Sequence, residues 1–167
     1  MTVKTVEKDT EALTMTITSE FAAPVERVWK LWEDPRQLER WWGPPTYPAT
    51  VIDHELTPGG TVSYFMTGPE GDRHHGWWRV MAVDSPHRLE FEDGFADEDG
   101  NPNPNIPTTT MVVTLEDVSG GGTRMTIRTT FPSLDAMEQY LSMGAEEGTK
   151  AALGQIDDLL RADVSSR

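Results

Sequence analysis

Histidines and carboxylates occur together at positions where they could support metal binding or proton transfer. His74 and His75 are adjacent and follow Asp72 closely; with Glu55 they offer imidazole and carboxylate groups, which bind transition metals. Because neighbouring residues of a strand face opposite sides, only one of the two histidines can point into a shared site, and we predict no metal site. His75, or His54 on the preceding predicted strand, could instead act as a general acid or base near neutral pH. The alternative is a solvent-facing histidine at a strand end.

Motifs of other catalytic classes do not occur in the sequence. The chain has no cysteine, which excludes a thiol nucleophile, a disulfide and the zinc motifs built on thiolates. It contains no Gly-x-Ser-x-Gly nucleophile turn, no Walker loop and no dinucleotide-binding glycine motif. Gly120 to Gly122 suit a hairpin turn. We therefore identify no catalytic residue and predict no cofactor.

Aromatic and methionine side chains are spaced as they would be in the wall of a site for an apolar ligand. In a predicted strand Tyr64 and Met66 share a face, and in the next Trp78 points the same way, towards the terminal helix. Aromatic rings and adaptable methionines suit a concave apolar site, although ordinary core packing explains them equally well. The predicted ligand-binding residues are Tyr64, Met66, Trp78, Phe91, Met111, Met125, Met137, Leu141, Gly144 and Gly148.

A long terminal helix is predicted to complete this wall. Apolar residues keep helical spacing from Ser133 to about Arg161, and Ser133 is a suitable N-cap. The middle of the apolar stripe is small, with Gly144 and Gly148 among alanines, although a glycine inside a helix costs roughly 0.5–1 kcal/mol relative to alanine. Either the helix packs closely on a sheet there, or the missing side chains leave a hollow. The binding hypothesis depends on the hollow.

The rest of the chain is predicted to form strands and two short helices. A first strand, Leu13 to Ser19, is followed by a helix over Val25 to Glu33 and by a second helix that Asp34 caps. Further strands are predicted over Thr50 to Leu56, Thr61 to Thr67, His75 to Val83, Thr109 to Asp117 and Thr123 to Phe131. Another strand begins with Leu89 and Phe91 and gives way to a loop from Phe95.

Short turns between these strands favour an antiparallel sheet and the α+β class. We expect a curved antiparallel sheet of about seven strands, wrapped around one long C-terminal helix, with two short helices after the first strand. The polar stretch from Asp97 to Asn105 is predicted to be an exposed loop that could cover one mouth of a cavity.

Length and charge indicate a single acidic domain. The 167 residues suit one domain over residues 1–167, with a core of about residues 12–162. A net charge of −14 without a basic patch argues against nucleic acid as a partner. No segment approaches the ~20 apolar residues that cross a membrane, and the first residues lack the apolar stretch of a signal peptide. We therefore expect a cytoplasmic protein without membrane insertion, and Met143, which points away from the apolar stripe, hints at a homodimer.

Short motifs along nearly the whole chain resemble those of one superfamily. They are Phe21 to Trp29, Leu38 to Pro44, Pro58 to Gly60, Gly76 before Trp78, Pro86 to Leu89, Gly122 to Arg124 and Met143 to Gly148. In order and spacing they resemble the SRPBCC (START-like, helix-grip) superfamily. They are most similar to its branch named after the activator of the heat-shock-protein-90 ATPase, whose small bacterial members are often labelled polyketide cyclase/dehydrase-like. The resemblance implies a seven-stranded antiparallel sheet that grips the terminal helix around an apolar cavity, and members that bind lipids, hormones, polyketides or other hydrophobic small molecules.

Two positions depart from the pattern of that branch. Many relatives carry Asp-Leu-Arg before the Pro-Gly-Gly turn, where this chain has Glu55 to Thr57, and many have a tryptophan at the position of Thr149. The loss of a basic group near the turn argues against an anionic ligand.

Three functional hypotheses follow. The first is binding of a hydrophobic small molecule between the sheet and the C-terminal helix, without catalysis. The second is a cyclase- or hydrolase-type enzyme for a polyketide-like or other apolar substrate, in which His75 or Tyr64 transfers protons. The third is a co-chaperone-like protein-interaction module that uses the acidic surface.

Overall fold

The computed structural model describes residues 3–99, 101–103 and 107–165. In this part of the chain eight strands form one antiparallel sheet in the order β1-β2-β8-β7-β6-β5-β4-β3. The strands are β1 (Val3–Asp9), β2 (Thr14–Phe21), β3 (Ala49–His54), β4 (Thr61–Thr67), β5 (Arg73–Asp84), β6 (Arg88–Ala96), β7 (Thr109–Val118) and β8 (Gly122–Thr130). The helices are α1 (Val25–Glu33), α2 (Pro35–Trp41), α3 (Leu134–Ser142), α4 (Ala145–Gly154) and α5 (Ile156–Ser165). The predicted α+β class with an antiparallel sheet is confirmed.

Alternation along the strands places the core on one face of the sheet. In β2 buried and partly exposed residues alternate, and Ile17 lies opposite Ile127 of β8. Pairing of β2 with β8 joins the first predicted strand to the last. The helices that follow β8 lie against the same face as the core. In β5 the predicted alternation of side chains between the two faces is confirmed, because Trp78 and Val80 are buried while Arg79 and Met81 are exposed.

The strand β1 was not predicted from the sequence. Its residues are mostly polar and it pairs with one neighbour, β2, through register positions such as Val6 opposite Ile17. An edge strand has only one partner and one exposed side, so it needs neither a buried face nor an apolar pattern.

The two short helices have the predicted bounds and close one end of the sheet. In α1 the buried residues are Val25, Val28, Trp29, Leu31 and Trp32. The Asp34 side chain accepts a hydrogen bond of 2.9 Å from the Arg36 backbone N–H and so caps α2. The rings of Trp32 and Trp41 meet edge to face at 4.8 Å, so this end is densely packed.

The strand β6 is longer than predicted and carries an acidic residue on its inner side. The sequence predicted a strand that begins with Leu89 and Phe91 and gives way to a loop from Phe95, but pairing continues to Ala96. Asp93 lies opposite Trp78 of β5 and Thr109 of β7, two residues beyond the buried Phe91.

Part of the predicted exposed loop also pairs with the end of β6. Pro102 forms an isolated bridge with Ala96, and the Asn103 backbone N–H donates a 2.8 Å hydrogen bond to the Phe95 carbonyl. Residues 100 and 104–105 of the predicted loop lie outside the described residues.

The C-terminal helix is divided into three segments. Ser133 caps α3 as predicted, since its side chain accepts a hydrogen bond from the Ala136 N–H. After α3 the chain passes through Gly144 at φ +80°, a left-handed conformation that glycine adopts without steric cost, and α4 begins in a new direction. A further interruption at Gln155 separates α4 from α5. None of the helices in the described part of the chain is long and apolar enough to cross a membrane.

Candidate ligand-binding cavity

A cavity of about 270 Å³ lies between the inner face of the sheet and the segments α3 and α4. Strands β2, β4, β6, β7 and β8 form one side, and α3, α4 and the end of α2 form the other. Its apolar wall includes Met15, Ile17, Met66, Met111, Ile127 and Leu153. Met143, about half exposed, is among the lining residues and lies where the cavity opens to solvent.

Gly148 decides between the two alternatives that the sequence left open. It lines the cavity, and a Cβ atom built on it would meet no atom within 4 Å beyond its own helix. The helix therefore does not press on the sheet at this point, and the missing side chain contributes to a hollow.

Contacts near both ends of α4 hold it over this hollow. At the first turn, Glu146 forms an ion pair of 2.6 Å with Lys8 of β1. Just beyond the last turn, the Gln155 Nε2 donates a hydrogen bond of 2.7 Å to the Gly43 carbonyl, which follows α2. The helix is thus tied to an edge strand at one end and to the short helices at the other.

A tyrosine of β4 and an aspartate of β6, the two strands that flank β5, form a polar pair in the cavity wall. The Tyr64 hydroxyl donates a hydrogen bond of 3.1 Å to Asp93 Oδ1. Tyr64 is only 7% exposed, and its ring lies over Gly76, where a Cβ atom would come within 2.5 Å of the ring. Glycine at position 76 therefore makes room for the tyrosine that reaches Asp93.

Burial changes the protonation chemistry of this pair. Removal from water raises the pKa of Asp93 from 3.8 to about 7, and the hydrogen bond from Tyr64 together with the nearby Trp78 indole opposes part of that rise. Burial and, secondarily, the charge of Asp93 raise the pKa values of both Tyr64 and Tyr140 above that of a free tyrosine. Near neutral pH both tyrosines are therefore protonated and neutral, whereas Asp93 changes between its protonated and its charged form.

Two indole N–H groups surround the same pair. Trp42 Nε1 and Trp78 Nε1 are buried and make no hydrogen bond of standard geometry within the described residues. Each indole nevertheless favours the charged form of a neighbouring group. Trp42 lowers the pKa of Tyr64, and Trp78 lowers the pKa of Asp93. Trp42, Tyr64 and Trp78 also meet edge to face, with ring centroids 4.8–6.4 Å apart.

Comparison with known proteins identifies the family. The family model described as "Activator of Hsp90 ATPase homolog 1-like protein" matches residues 22–161. The chain belongs to this family. No curated protein matches the chain.

Solved structures of similar proteins share the fold of this activator-like family member over nearly its full length. The crystal structure of protein Ms6760 from Mycobacterium smegmatis is 54% identical, with a TM-score of 0.88 over 95% of this chain and 96% of that one. A solution NMR structure of a protein from Arthrobacter aurescens is 52% identical, with a TM-score of 0.92 over 96% and 93% of the two chains. The crystal structure of CalU16 from Micromonospora echinospora has a TM-score of 0.59 over 96% of this chain and 90% of that one; at 16% identity it shows a common fold alone.

The predicted ligand-binding residues occupy three different positions in this family member. Tyr64, Met66, Met111 and Gly148 line the cavity. Leu141 is half-buried and Gly144 exposed where the helix is interrupted, and neither is part of the wall. The remaining four are buried in the core beneath the wall: Trp78, Phe91, Met125 and Met137. Trp78 and Phe91 stack at 4.0 Å, so they support the wall from behind. Ligand contact by any of the ten stays a prediction.

Several wall residues of this family member were not predicted, and Asp93 is the most informative of them. Continuing the alternation of Leu89 and Phe91 by two residues would have placed Asp93 on the inner face. The glycine-, proline- and acid-rich sequence that follows obscured that signal. Tyr140 and Thr149 were missed for another reason, because the break at Gly144 changes which helix faces meet the cavity.

The histidines do not reach the cavity. His54 Nε2 lies 2.9 Å from the Trp32 carbonyl oxygen, and His74 pairs with Asp72 at 2.6 Å. His75 lies on the outer face of β5 against the Phe65 ring, with centroids 5.5 Å apart. Within the described residues no group of three or more His, Cys, Asp or Glu side chains is arranged to hold a metal ion.

Proposed function

We propose that this protein binds a compact hydrophobic small molecule in the cavity between the sheet and α4. The observation that carries the proposal is the hollow at Gly148, where a side chain would meet nothing beyond its own helix. A mid-helix glycine lowers helix stability, so its presence over a cavity wall is consistent with selection for space.

The size and lining of the cavity support a ligand larger than a single aromatic ring. An apolar protein cavity of about 150 Å³ accommodates benzene, whereas this one measures about 270 Å³. The wall contains the methionines Met15, Met66, Met111 and Met143. Their flexible side chains adjust to ligands of different shape. The fit favours a fused bicyclic body or a branched chain of similar bulk.

The proposal is tested by filling the hollow. Naphthylmethanol is titrated calorimetrically into the wild type and into Gly148→Leu, which places an isobutyl group in the cavity. We expect the wild type to bind and the variant to lose at least about tenfold in affinity, because the ligand and the new side chain compete for one space.

Gly154→Leu is the matched control for this experiment. Gly154 belongs to the same helix and is exposed, and nothing lies within 4 Å of an added Cβ. Both substitutions replace glycine by a better helix former, but only one affects the cavity. Equal binding by all three proteins, or no binding by the wild type, would contradict the proposed function.

A further inference from the structure

The cavity wall contains one charged side chain and no side chain of opposite charge. Among the lining residues that the structure describes, Asp93 is the sole ionisable group other than tyrosine, and no lysine, arginine or histidine is present. A partly buried carboxylate without a cationic partner is energetically unfavourable, and such groups are concentrated at functional sites.

Oxygen atoms from both sides of the cavity lie near this carboxyl group. Tyr64 contacts it directly, and burial and the charge of Asp93 raise the pKa of Tyr140 on α3, which in turn raises that of Tyr64. Thr149 of α4 also lines the cavity, and its side chain lowers the pKa of Tyr140. We call Tyr64, Asp93, Tyr140 and Thr149 the polar cluster.

Aromatic rings next to the polar cluster add a second feature that favours cations. Trp41, Trp42, Phe95 and the two tyrosines of the cluster line the same cavity. The faces of aromatic rings carry partial negative charge and attract ammonium groups, most strongly where water is excluded.

We propose that the ligand of this cavity is a hydrophobic amine whose protonated nitrogen pairs with Asp93, while its apolar body fills the hollow beside Gly148. This inference rests on the proposed function and adds a chemical class to it. The ammonium N–H groups donate to the Asp93 carboxylate and to hydroxyl oxygens of the polar cluster. An anionic ligand would meet the carboxylate without a compensating cation.

The pairing makes binding dependent on pH. Two tyrosines are linked to Asp93: Tyr64 from β4 donates a hydrogen bond to it, and Tyr140 from α3 has its pKa raised by burial and by the charge of Asp93. Both tyrosines stay neutral because burial raises their pKa values. Asp93 alone therefore changes charge near neutrality, and amine affinity rises as Asp93 loses its proton between about pH 6 and 8.

The test compares three ligands that share a naphthyl body. Naphthylmethylamine, naphthylmethanol and naphthoate are titrated into the wild type and into Asp93→Asn at pH 7.5. We expect the wild type to prefer the amine over the alcohol by roughly tenfold or more, as for other charge-assisted hydrogen bonds, and to bind naphthoate most weakly. The Asn variant should bind amine and alcohol about equally.

Glu92→Gln controls for the general negative charge of the protein. Glu92 adjoins Asp93 in β6 but lies on the outer face, where it pairs with Arg79 at 3.2 Å, and its substitution removes one carboxylate without altering the cavity. It should leave the amine preference unchanged. The wild-type pH series is an independent readout, in which amine affinity relative to alcohol rises from pH 6 to pH 8.

The outcomes separate this inference from the proposed function. If the alcohol binds and Gly148→Leu blocks it, but the amine binds no better or keeps its preference in Asp93→Asn, the amine inference is wrong and the binding function stands. A pH-independent preference, or tightest binding of naphthoate, also overturns the inference. If no naphthyl ligand binds the wild type, both proposals fall.

Discussion

Asp93 is the residue at which stability and the proposed function oppose each other in this protein. Its carboxyl group is on the inner face of β6, two residues beyond the fully buried Phe91, and Tyr64 and Trp78 only partly offset the loss of water. A neutral side chain of the same shape would suit the fold better. The position is therefore explained more readily by recognition of a ligand than by packing.

Replacement of this carboxyl group should change how stability depends on pH. The pKa of Asp93 is about 7 in the folded protein against an ordinary value of 3.8, so the native state holds an extra proton between these values. Stability consequently falls as pH rises through that interval. Asp93→Asn removes this loss, and its advantage in unfolding free energy over the wild type should widen by roughly 2–3 kcal/mol between pH 5 and pH 8.

Urea denaturation of both proteins at the two pH values measures this difference. Glu138→Gln, at an exposed position of α3, serves as the control. Its difference in unfolding free energy from the wild type should be the same at pH 5 and at pH 8. An Asn variant whose advantage stays constant from pH 5 to pH 8 would show that Asp93 has no raised pKa.

At the scale of elements, the interruption of the C-terminal helix shapes the cavity. A continuous helix from Ser133 would present one fixed stripe to the sheet, whereas the left-handed turn at Gly144 reorients α4 relative to α3. This turn brings Tyr140 of α3 and Thr149 of α4 to the same cavity. The break is thus part of what shapes the cavity.

The conformation of Gly144 leads to a prediction about the break itself. Gly144→Ala should lower the free energy of unfolding by about 1 kcal/mol, because alanine at φ +80° is strained even though its methyl group meets open space. Gly154→Ala, in a helix without positive φ, should instead raise stability by up to about 1 kcal/mol. Urea midpoints of the two variants test this, and a stabilising effect of both substitutions would show that the turn at Gly144 is not required.

For the whole molecule, repulsion among the excess negative charges is the main long-range interaction. The chain carries a net charge of −14, and its ion pairs, such as Arg124 with Glu20 at 3.3 Å, are largely exposed. Repulsion among unpaired carboxylates opposes the compact state, and the same field draws cationic ligands towards the protein. This second effect is consistent with an amine as ligand.

Salt should therefore stabilise the folded protein. We expect the urea midpoint at pH 7.5 to rise when sodium chloride is increased from about 10 mM to about 200 mM, since the screening length falls from roughly 30 Å to below 10 Å. The increase should shrink near pH 5, where the charge is smaller because the isoelectric point is about 4.5. A midpoint that falls with added salt would show that ion pairs outweigh repulsion.

The sequence by itself determined the class of fold and most of its elements. Alternation in Thr61–Thr67, the capping residue Asp34 and the helical spacing of α1 are local signals, because they arise from interactions a few residues apart. The parity of β4 and β5 likewise identified Tyr64 and Met66, which line the cavity, and Trp78, which packs behind it.

Only the tertiary structure decided whether a cavity exists and which chemistry it offers. The glycine-rich helix pattern fits close packing and a hollow equally well, and the choice depends on contacts between α4, β1 and the short helices. Asp93 looks like an ordinary surface acid in the sequence. It acquires a pKa near neutrality because β4, β5 and α3 remove water from it, an effect of residues distant in the chain.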